Sequence, residues 1–160
     1  MEYTLSLWDK PNLKTKTRQV EEFGETIHAV SELCILAMQE LDGVGLAANQ
    51  IGFDHSLFVY KNDDNTVQTL VNPRIVSLYL PKQKILEACL SIPEYSFEVP
   101  RYTKVTVEAQ DLHGNPLTIE SEGLKAQIFQ HEIDHLNGVR IIDRLSKADK
   151  KRTIRYLKRN

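Results

Sequence analysis

The sequence predicts an α+β fold with one helix, then several strands, then a second helix. Apolar residues recur every three or four positions over about 25–41, which is typical of an amphipathic helix. Short apolar or alternating runs between about 57 and 119 indicate several strands. A second helical segment follows at about 123–136. An order of helix, strands and helix is typical of the α+β class.

The size and composition of the chain favour one soluble globular domain spanning 1–160. The 160 residues are 41% hydrophobic and 26% charged, which suffices for a core without disulfides. No apolar run is long enough for a membrane span, and the first residues do not resemble a signal peptide. We therefore expect a cytoplasmic protein, or an organellar one if a transit segment was removed. The net charge of −2 predicts no specific nucleic-acid partner.

The first half of the chain contains an arm, a helix and strands. Residues 1–20 have no apolar period and are expected to be irregular. The helix over about 25–41 ends at a glycine-rich stretch, 43–52, where the backbone can take unusual angles and approach another chain closely. Runs of strand type then follow at 57–60, 69–71 and 75–80.

The second half contains a hairpin and two helices. Val105, Val107 and Ala109 alternate with polar residues, and a strong turn at 111–116 leads into another apolar run, which predicts a β-hairpin. The helix over about 123–136 ends at an Asn-Gly stop signal. A last helix, over about 146–157, carries many Lys and Arg residues.

The pattern His-Glu-x-x-His at 131–135 is the candidate functional centre. On a helix, His131 and His135 lie one turn apart on the same face, so both imidazoles can bind one metal ion. Glu132 lies between them and can face a water molecule at that ion. The alternative is a polar helix that matches a five-residue pattern by coincidence, so a third ligand is needed to decide.

The third ligand has to come from upstream of the pattern. Residues 136–160 contain no His and no Glu, which disfavours a zinc endopeptidase with a downstream ligand. Cys89 is the best candidate, because one thiolate and two imidazoles leave a fourth position open for water or substrate. The alternative for Cys89 is a buried core thiol.

Three stretches together resemble the signature motifs of the peptide deformylases: 43–50 (GVGLAANQ), 87–91 (EACLS) and 130–135 (QHEIDH). They occur in that family's order and at about its spacings, and the similarity extends over nearly the whole chain. The resemblance implies the family's fold of short antiparallel sheets around a metal-binding helix. It also implies removal of the formyl group from N-terminal formyl-methionine, with release of formate.

The resemblance further implies a role for each site residue. The metal ligands would be Cys89, His131 and His135, and Glu132 would be the general base. The side-chain amide of Gln50 and the backbone N–H of Leu90 would stabilise the oxyanion. The family's natural metal is Fe²⁺, and Zn²⁺, Ni²⁺ or Co²⁺ can take its place.

Substrate contacts are implied in the same way. The methionine side chain would enter an apolar pocket, and the peptide backbone would pair with Gly45 and with the chain around Glu87. Glu87 would also form a supporting ion pair with Arg101. Taken singly, these charges would be assigned to the surface, and the apolar pocket residues would be assigned to the core. The pocket residues are Val44, Ile85, Leu124 and Ile128.

One motif position departs from the family. Ala88 stands where the family has Gly. If this position needs a positive φ, the alanine backbone would be strained. If it needs only a close approach to the peptide, the methyl group would narrow the groove. An active enzyme with altered substrate tolerance is the expectation, and a catalytically silent peptide-binding homologue is the alternative.

The basic C-terminal helix is shorter than in many bacterial relatives, which use it to dock on the ribosome. Phosphate contacts could serve the same purpose here, although a solvated helix face explains the charges equally well. We expect the protein to be a monomer.

Overall fold

The computed structural model describes residues 2–160. Helices α1 (Glu25–Glu40), α2 (Gly123–Leu136) and α3 (Lys147–Arg159) accompany strands β1 (Gly45–Ala47), β2 (Leu57–Lys61), β3 (Val67–Cys89), β4 (Ile92–Gln110) and β5 (Pro116–Glu122). Three short 3₁₀ helices span Pro11–Lys14, Ala48–Ile51 and Ile141–Arg144. The predicted α+β class is confirmed, because helices border an antiparallel sheet instead of alternating with parallel strands.

The five strands form one sheet in the order β1-β2-β3-β4-β5, and every neighbouring pair is antiparallel. The predicted hairpin is present, with Val107 opposite Ile119. The runs at 69–71 and 75–80, however, belong to the single long strand β3. Asn72-Pro73 and Pro81 suggest breaks in the sequence, but the strand passes them through irregularities in its register with β4.

Two apolar layers position the sheet against the helices. One face of α1 packs on β1 and β2, with Cys34, Met38 and Leu57 fully buried. On the other side, Phe129 of α2 packs edge-on against Tyr60, with ring centroids 4.8 Å apart. Helix α2 is therefore held within the protein, and ten of its residues are buried.

The first residues form an arm that lies across the glycine-rich stretch and the end of α2. The amide of Ser6 donates to the Gln50 carbonyl (2.7 Å), and that of Trp8 donates to the Ser91 carbonyl (3.0 Å). Thr17 donates through its amide (2.8 Å) and its hydroxyl (3.1 Å) to the Leu136 carbonyl. The arm thus contacts all three segments that carry the sequence motifs.

Two glycines permit close packing around α2. A Cβ atom on Gly138, which has φ of 74°, would lie 2.8 Å from the backbone of Lys14. A Cβ atom on Gly45 would lie 2.8 Å from a carboxylate oxygen of Glu132. A side chain at Gly138 would push the arm away from the helix, and one at Gly45 would push β1 away.

Helix α3 lies at the outside of the molecule. The Ser146 hydroxyl accepts from the Asp149 amide (3.1 Å), so the predicted start of this helix is its N-cap. No residue of α3 is fully buried, although Ile154 and Leu157 pack against a small core cluster. Across residues 2–160, the helices are too short or too polar to cross a membrane.

Candidate active site

Helix α2 presents the two histidines to the interior of the protein. His131 and His135 are both buried, and their Nε2 atoms lie 3.1 Å apart. The spacing of four residues produces this contact, because side chains at i and i+4 stack on one helix face. Two imidazole nitrogens therefore point at the same small space.

Cys89 completes the group from the end of β3. Its Sγ atom lies 3.3 Å from Nε2 of His135, and the ligand atoms of Cys89, His131 and His135 lie within 4.8 Å of one another. A thiolate with two imidazoles suits several first-row metal ions. These three residues can hold one metal ion and leave room for a further ligand.

The outer nitrogen of His131 indicates that this donor set fits a metal. Nδ1 of His131 lies 2.6 Å from a carboxylate oxygen of Glu87. A carboxylate can only accept, so Nδ1 carries a proton, and a metal ion would bind at Nε2 in place of any proton there. Metal-binding histidines are commonly oriented by a carboxylate in this way.

Glu87 is held in turn by Arg101. The guanidinium of Arg101 donates to both carboxylate oxygens of Glu87, at 2.6 and 3.0 Å, and both side chains are buried. Burial alone would raise the pKa of Glu87, but the hydrogen bonds and positive charges of His131 and Arg101 outweigh it and lower that pKa to about 2. Glu87 is therefore a carboxylate at neutral pH.

Glu132 is a buried acid whose second carboxylate oxygen is free. Oε2 of Glu132 has no hydrogen-bond partner among residues 2–160. Burial raises the pKa of Glu132 to about 7, against a smaller effect of His131 in the opposite direction. An unpartnered buried oxygen of this kind can accept a proton from a molecule that enters the site.

Gln50 and Leu90 both lie close to Cys89. Oε1 of Gln50 accepts from the Ala47 amide (2.9 Å), which fixes the orientation of the side-chain amide. Nε2 of Gln50 donates to the Ser91 hydroxyl (3.1 Å) and lies 3.8 Å from Sγ of Cys89. Leu90 follows Cys89 in the tight turn between β3 and β4. Both predicted oxyanion donors therefore lie beside the ligand group.

A groove of about 750 Å³ runs over these residues. Its lining includes the predicted substrate contacts Val44, Gly45, Glu87, Leu124 and Ile128, together with Gln50, Cys89, Leu90, His131 and Glu132. Val44 and Leu124 are exposed at the groove and Ile128 lies deeper. An apolar groove above polar groups is the usual form of a site for small ligands or peptides.

Ile85, a predicted pocket residue, does not line this groove. Ile85 lines a separate depression with Tyr79 and Lys104, and Leu86 lines the groove instead. The residues of β3 that line the groove begin at Leu86 and continue to Cys89, so Ile85 lies just beyond its end. The sequence alone does not tell which of two adjacent apolar residues faces the substrate.

Ala88 lies in the groove without strain. Its φ is not positive, so the backbone at this position does not require glycine. Ala88 is exposed, pairs with Ser96 across the hairpin, and lines the groove. Of the two consequences expected for this residue, the narrower groove is the one that the structure supports.

Three further residues support the site but were not predicted from the sequence. Ser91 holds Gln50, and Asp134 accepts from Arg101 at 2.7 Å. Arg144 binds the same carboxylate at 2.5 and 2.9 Å. Ser91 and Asp134 lie within the motifs, so their positions could have suggested a role. Arg144 lies outside the motifs and required the structure.

Known proteins resemble this chain over most of its length. The profile of the family described as polypeptide deformylase matches residues 3–151. The peptide deformylase of Thermotoga maritima is 38% identical over 146 residues, covering 91% of this chain and 88% of that protein. Peptide deformylase 2 of Vibrio cholerae is 38% identical over 152 residues, covering 94% and 90%.

A solved structure agrees with these matches. The crystal structure of peptide deformylase from Thermus thermophilus superimposes with a TM-score of 0.91 at 37% identity, covering 98% of this chain and 93% of that one. The resemblance predicted from the three motifs is confirmed, and with it the enzymatic activity of metal-dependent removal of formyl groups from new polypeptides. The chain belongs to the peptide deformylase family.

Proposed function

We propose that this enzyme hydrolyses the formyl amide of N-formylmethionyl peptides with Cys89, His131 and His135 as ligands of one catalytic metal ion. The observation that carries the proposal is the convergence of these three ligand atoms beside the free oxygen of Glu132. The open groove above them supports an enzyme acting on a peptide end.

We propose Fe²⁺ as the native metal, on the resemblance to the family. A thiolate and two imidazoles also accept Zn²⁺, Ni²⁺ or Co²⁺, so metal availability decides the occupant in each preparation. When bound, such an ion supplies a Lewis acid that lowers the pKa of water and polarises a carbonyl oxygen.

Glu132 transfers the proton in this scheme. Its free oxygen takes one proton from the attacking water as the new C–O bond forms at the formyl carbon. It then delivers that proton to the amine nitrogen as the formyl C–N bond breaks. The products are formate and a peptide whose N-terminal methionine has a free amine. The close contact with Gly45 keeps the carboxyl group at the floor of the groove.

Gln50 and Leu90 supply hydrogen-bond donors for the oxyanion. One N–H of the Gln50 amide is taken by Ser91, and the other faces Sγ of Cys89 at 3.8 Å, where it could turn to the substrate oxygen. The backbone N–H of Leu90 approaches from the turn after Cys89. Preorganised donors of this kind contribute roughly 10²–10³-fold to the rate in comparable sites.

The free edges of two strands bind the peptide backbone. Strand β1, which holds Gly45, is at the edge of the sheet, and β3 pairs with β2 only over 67–71. The backbone near Glu87 is therefore open on the groove side, and a substrate strand can lie between the two edges. Val44, Leu124 and Ile128 then contact the methionine side chain.

Metal analysis coupled to formate release tests this function. Protein purified anaerobically should contain one metal ion per chain and release formate from formyl-Met-Ala-Ser. Glu132→Gln should keep the metal and lose roughly 10²-fold or more in kcat. Glu32→Gln, an exposed helical glutamate away from the groove, is the matched control. Absence of formate release with Fe²⁺ or Ni²⁺ would favour a silent binding homologue, and cleavage of internal peptide bonds would favour an endopeptidase.

We also propose that α3 docks the enzyme at the ribosome, in the cytoplasm where formylated chains are made. Its basic residues are Lys147, Lys150, Lys151, Arg152, Arg155, Lys158 and Arg159. Lys150 and Arg152 are paired with aspartates, and the other five have no ion pair within residues 2–160. They are free to contact phosphates.

Ribosome co-sedimentation at several salt concentrations tests the docking. Reversing Lys151, Arg155 and Lys158 to Glu alters one face of α3 and spares the packed Ile154 and Leu157. We expect this variant to lose binding, and the parent to bind less as salt rises. Reversal of Lys10, Lys14 and Lys16 in the arm is the control. Equal sedimentation of all three proteins with ribosomes would exclude docking through α3.

We also propose that the free enzyme is a monomer. Sedimentation equilibrium of the parent protein without ribosomes tests this.

A further inference from the structure

A chain of alternating charges leads from His131 to the surface. His131 Nδ1 contacts Glu87 (2.6 Å), and Glu87 is bound by Arg101 through two hydrogen bonds. Arg101 also donates to Asp134 (2.7 Å). Arg144 then binds both oxygens of Asp134, at 2.5 and 2.9 Å. The last member of the chain lies outside the three motifs.

The burial of these groups explains why the last member matters. The side chains of Glu87 and Arg101 are buried, that of Asp134 is 11% exposed, and that of Arg144 is 45% exposed. Two carboxylates share the single buried guanidinium of Arg101. Arg144 supplies a second guanidinium to Asp134 from the solvent side.

We propose that Arg144 is a positioning residue for His131 and acts through Asp134, Arg101 and Glu87. By neutralising Asp134, Arg144 leaves Arg101 free to hold both oxygens of Glu87, and Glu87 holds the ring of His131. Without Arg144, the charge of Asp134 draws Arg101 away from Glu87, and the His131 ring loses its fixed orientation. This inference rests on the proposed role of His131 as a metal ligand.

The 3₁₀ helix Ile141–Arg144 connects this chain of charges to the rest of the fold. It follows α2 directly, and the next residues lead to the Ser146 N-cap of α3. Ile141 and Ile142 are buried in the core cluster that includes Cys89. The backbone that carries Arg144 is therefore packed, so the guanidinium is presented to Asp134 from a rigid support.

Cobalt affinity of the metal-free protein is the direct test, because a thiolate-bound Co²⁺ ion has an optical absorption band that does not depend on turnover. We expect Arg144→Ala to weaken Co²⁺ binding by about 10-fold, the low end for outer-shell partners of metal ligands. Arg144→Lys should recover part of that loss, because lysine restores the charge but not the two-pronged contact. Adding Asp134→Asn to Arg144→Ala should recover Co²⁺ binding, because no unneutralised charge then draws Arg101 away from Glu87.

Arg18→Ala is the matched control. Arg18 also pairs with an aspartate, Asp54, at 2.7 Å, but on the exposed arm. We expect this variant to bind Co²⁺ like the parent. All metal-free variants should keep the near-ultraviolet circular dichroism of the parent, which separates a positioning effect from general loosening.

Two results would overturn the inference. Parent-like Co²⁺ affinity and absorption in Arg144→Ala would overturn it while leaving the metal site in place. A loss of affinity that comes with lost near-ultraviolet circular dichroism would also overturn it, because Arg144 would then act on the fold as a whole. Failure of the parent chain to bind Co²⁺ through Cys89 would instead overturn the proposed metal site and this inference with it.

Discussion

At the scale of single residues, the site depends on how closely two elements approach. Gly45 has no side chain, and so the carboxyl group of Glu132 lies directly against β1. Burial of this acid raises its pKa to about 7. The second oxygen of Glu132 has no hydrogen-bond partner among residues 2–160. The absence of a side chain at Gly45 thus allows the carboxyl group of α2 to pack against β1.

Ala88 provides a prediction about substrate choice. Ala88→Gly removes a methyl group from the groove and should raise kcat/KM by a few-fold for formyl peptides with a bulky residue after Met. Ala88→Val should lower the same value, and both should change little with Ala after Met. Steady-state kinetics on the two peptide classes measure this. Equal changes for both classes would contradict a steric role.

Asp143 provides a prediction about pH. Burial alone would raise its pKa, but hydrogen bonds from Arg140 and Lys150 lower it to about 2. A depressed pKa stabilises the folded state above the unfolded pKa of roughly 4, and that stabilisation is lost as pH falls toward 2. Because solvent screens this partly exposed group, Asp143→Asn should cost about 1 kcal/mol of unfolding free energy at pH 7 and about half as much at pH 3.

Urea unfolding of parent and Asp143→Asn at the two pH values measures this difference. Asp54→Asn is the control, because its ion pair with Arg18 is exposed and should contribute less than about 1 kcal/mol at either pH. If the difference in unfolding free energy between parent and Asp143→Asn is the same at both pH values, the charge of Asp143 does not stabilise the fold.

At the scale of elements, the helices are the best-predicted part of the chain. The apolar period places α1 and α2 almost at their observed bounds, because a buried helix face requires that period. The long strand β3 is not predicted, since its prolines and polar residues look like breaks while pairing with β4 continues past them. The sequence identifies Cys89 and the two histidines as candidate ligands. That they meet depends on strand pairing and helix packing between residues that are far apart in the sequence.

The arm provides a prediction at this scale. The side-chain amide of Asn12 donates to the Asn49 carbonyl (2.6 Å) and to the Ser6 hydroxyl (2.9 Å), beside Gln50. Asn12→Ala should lower the unfolding free energy by about 1–2 kcal/mol. It should also lower kcat more than it changes KM, because Gln50 would lose its support.

Denaturant unfolding and steady-state kinetics measure both effects of Asn12→Ala. Asn62→Ala is the control, since the Asn62 side chain makes exposed hydrogen bonds in the loop after β2. A variant of Asn12 that loses stability but keeps kcat would show that the arm supports the fold without orienting Gln50.

At the scale of the whole molecule, the site lies where separate parts of the core meet. One cluster contains Cys34 and Met38, a second contains Phe129, and a third contains Cys89. The first two clusters contain none of the three proposed metal ligands. The fold should therefore persist without the metal, and the metal should add stability by binding only the folded chain.

Removal of the metal by a chelator tests this expectation. Far-ultraviolet circular dichroism should be unchanged, and the Tm should fall by about 10 °C, the shift expected for binding at roughly 1,000 times Kd. Adding Zn²⁺ or Co²⁺ back should restore the Tm. Cys89→Ala, which lacks one proposed ligand, should respond little to the chelator. Unfolding on chelation would instead identify the metal as part of the structural core.

The attachment of the arm also places an intrinsic fluorophore beside the site. The single tryptophan of the chain, Trp8, lies in the arm, and its side chain packs against the cluster that contains Cys89. Its carbonyl accepts from Arg140 (3.1 Å), while its amide donates to Ser91. Detachment of the arm from the turn beside the Cys89 thiol should therefore change the indole fluorescence. Local opening at the centre of the enzyme can be followed in real time without any label.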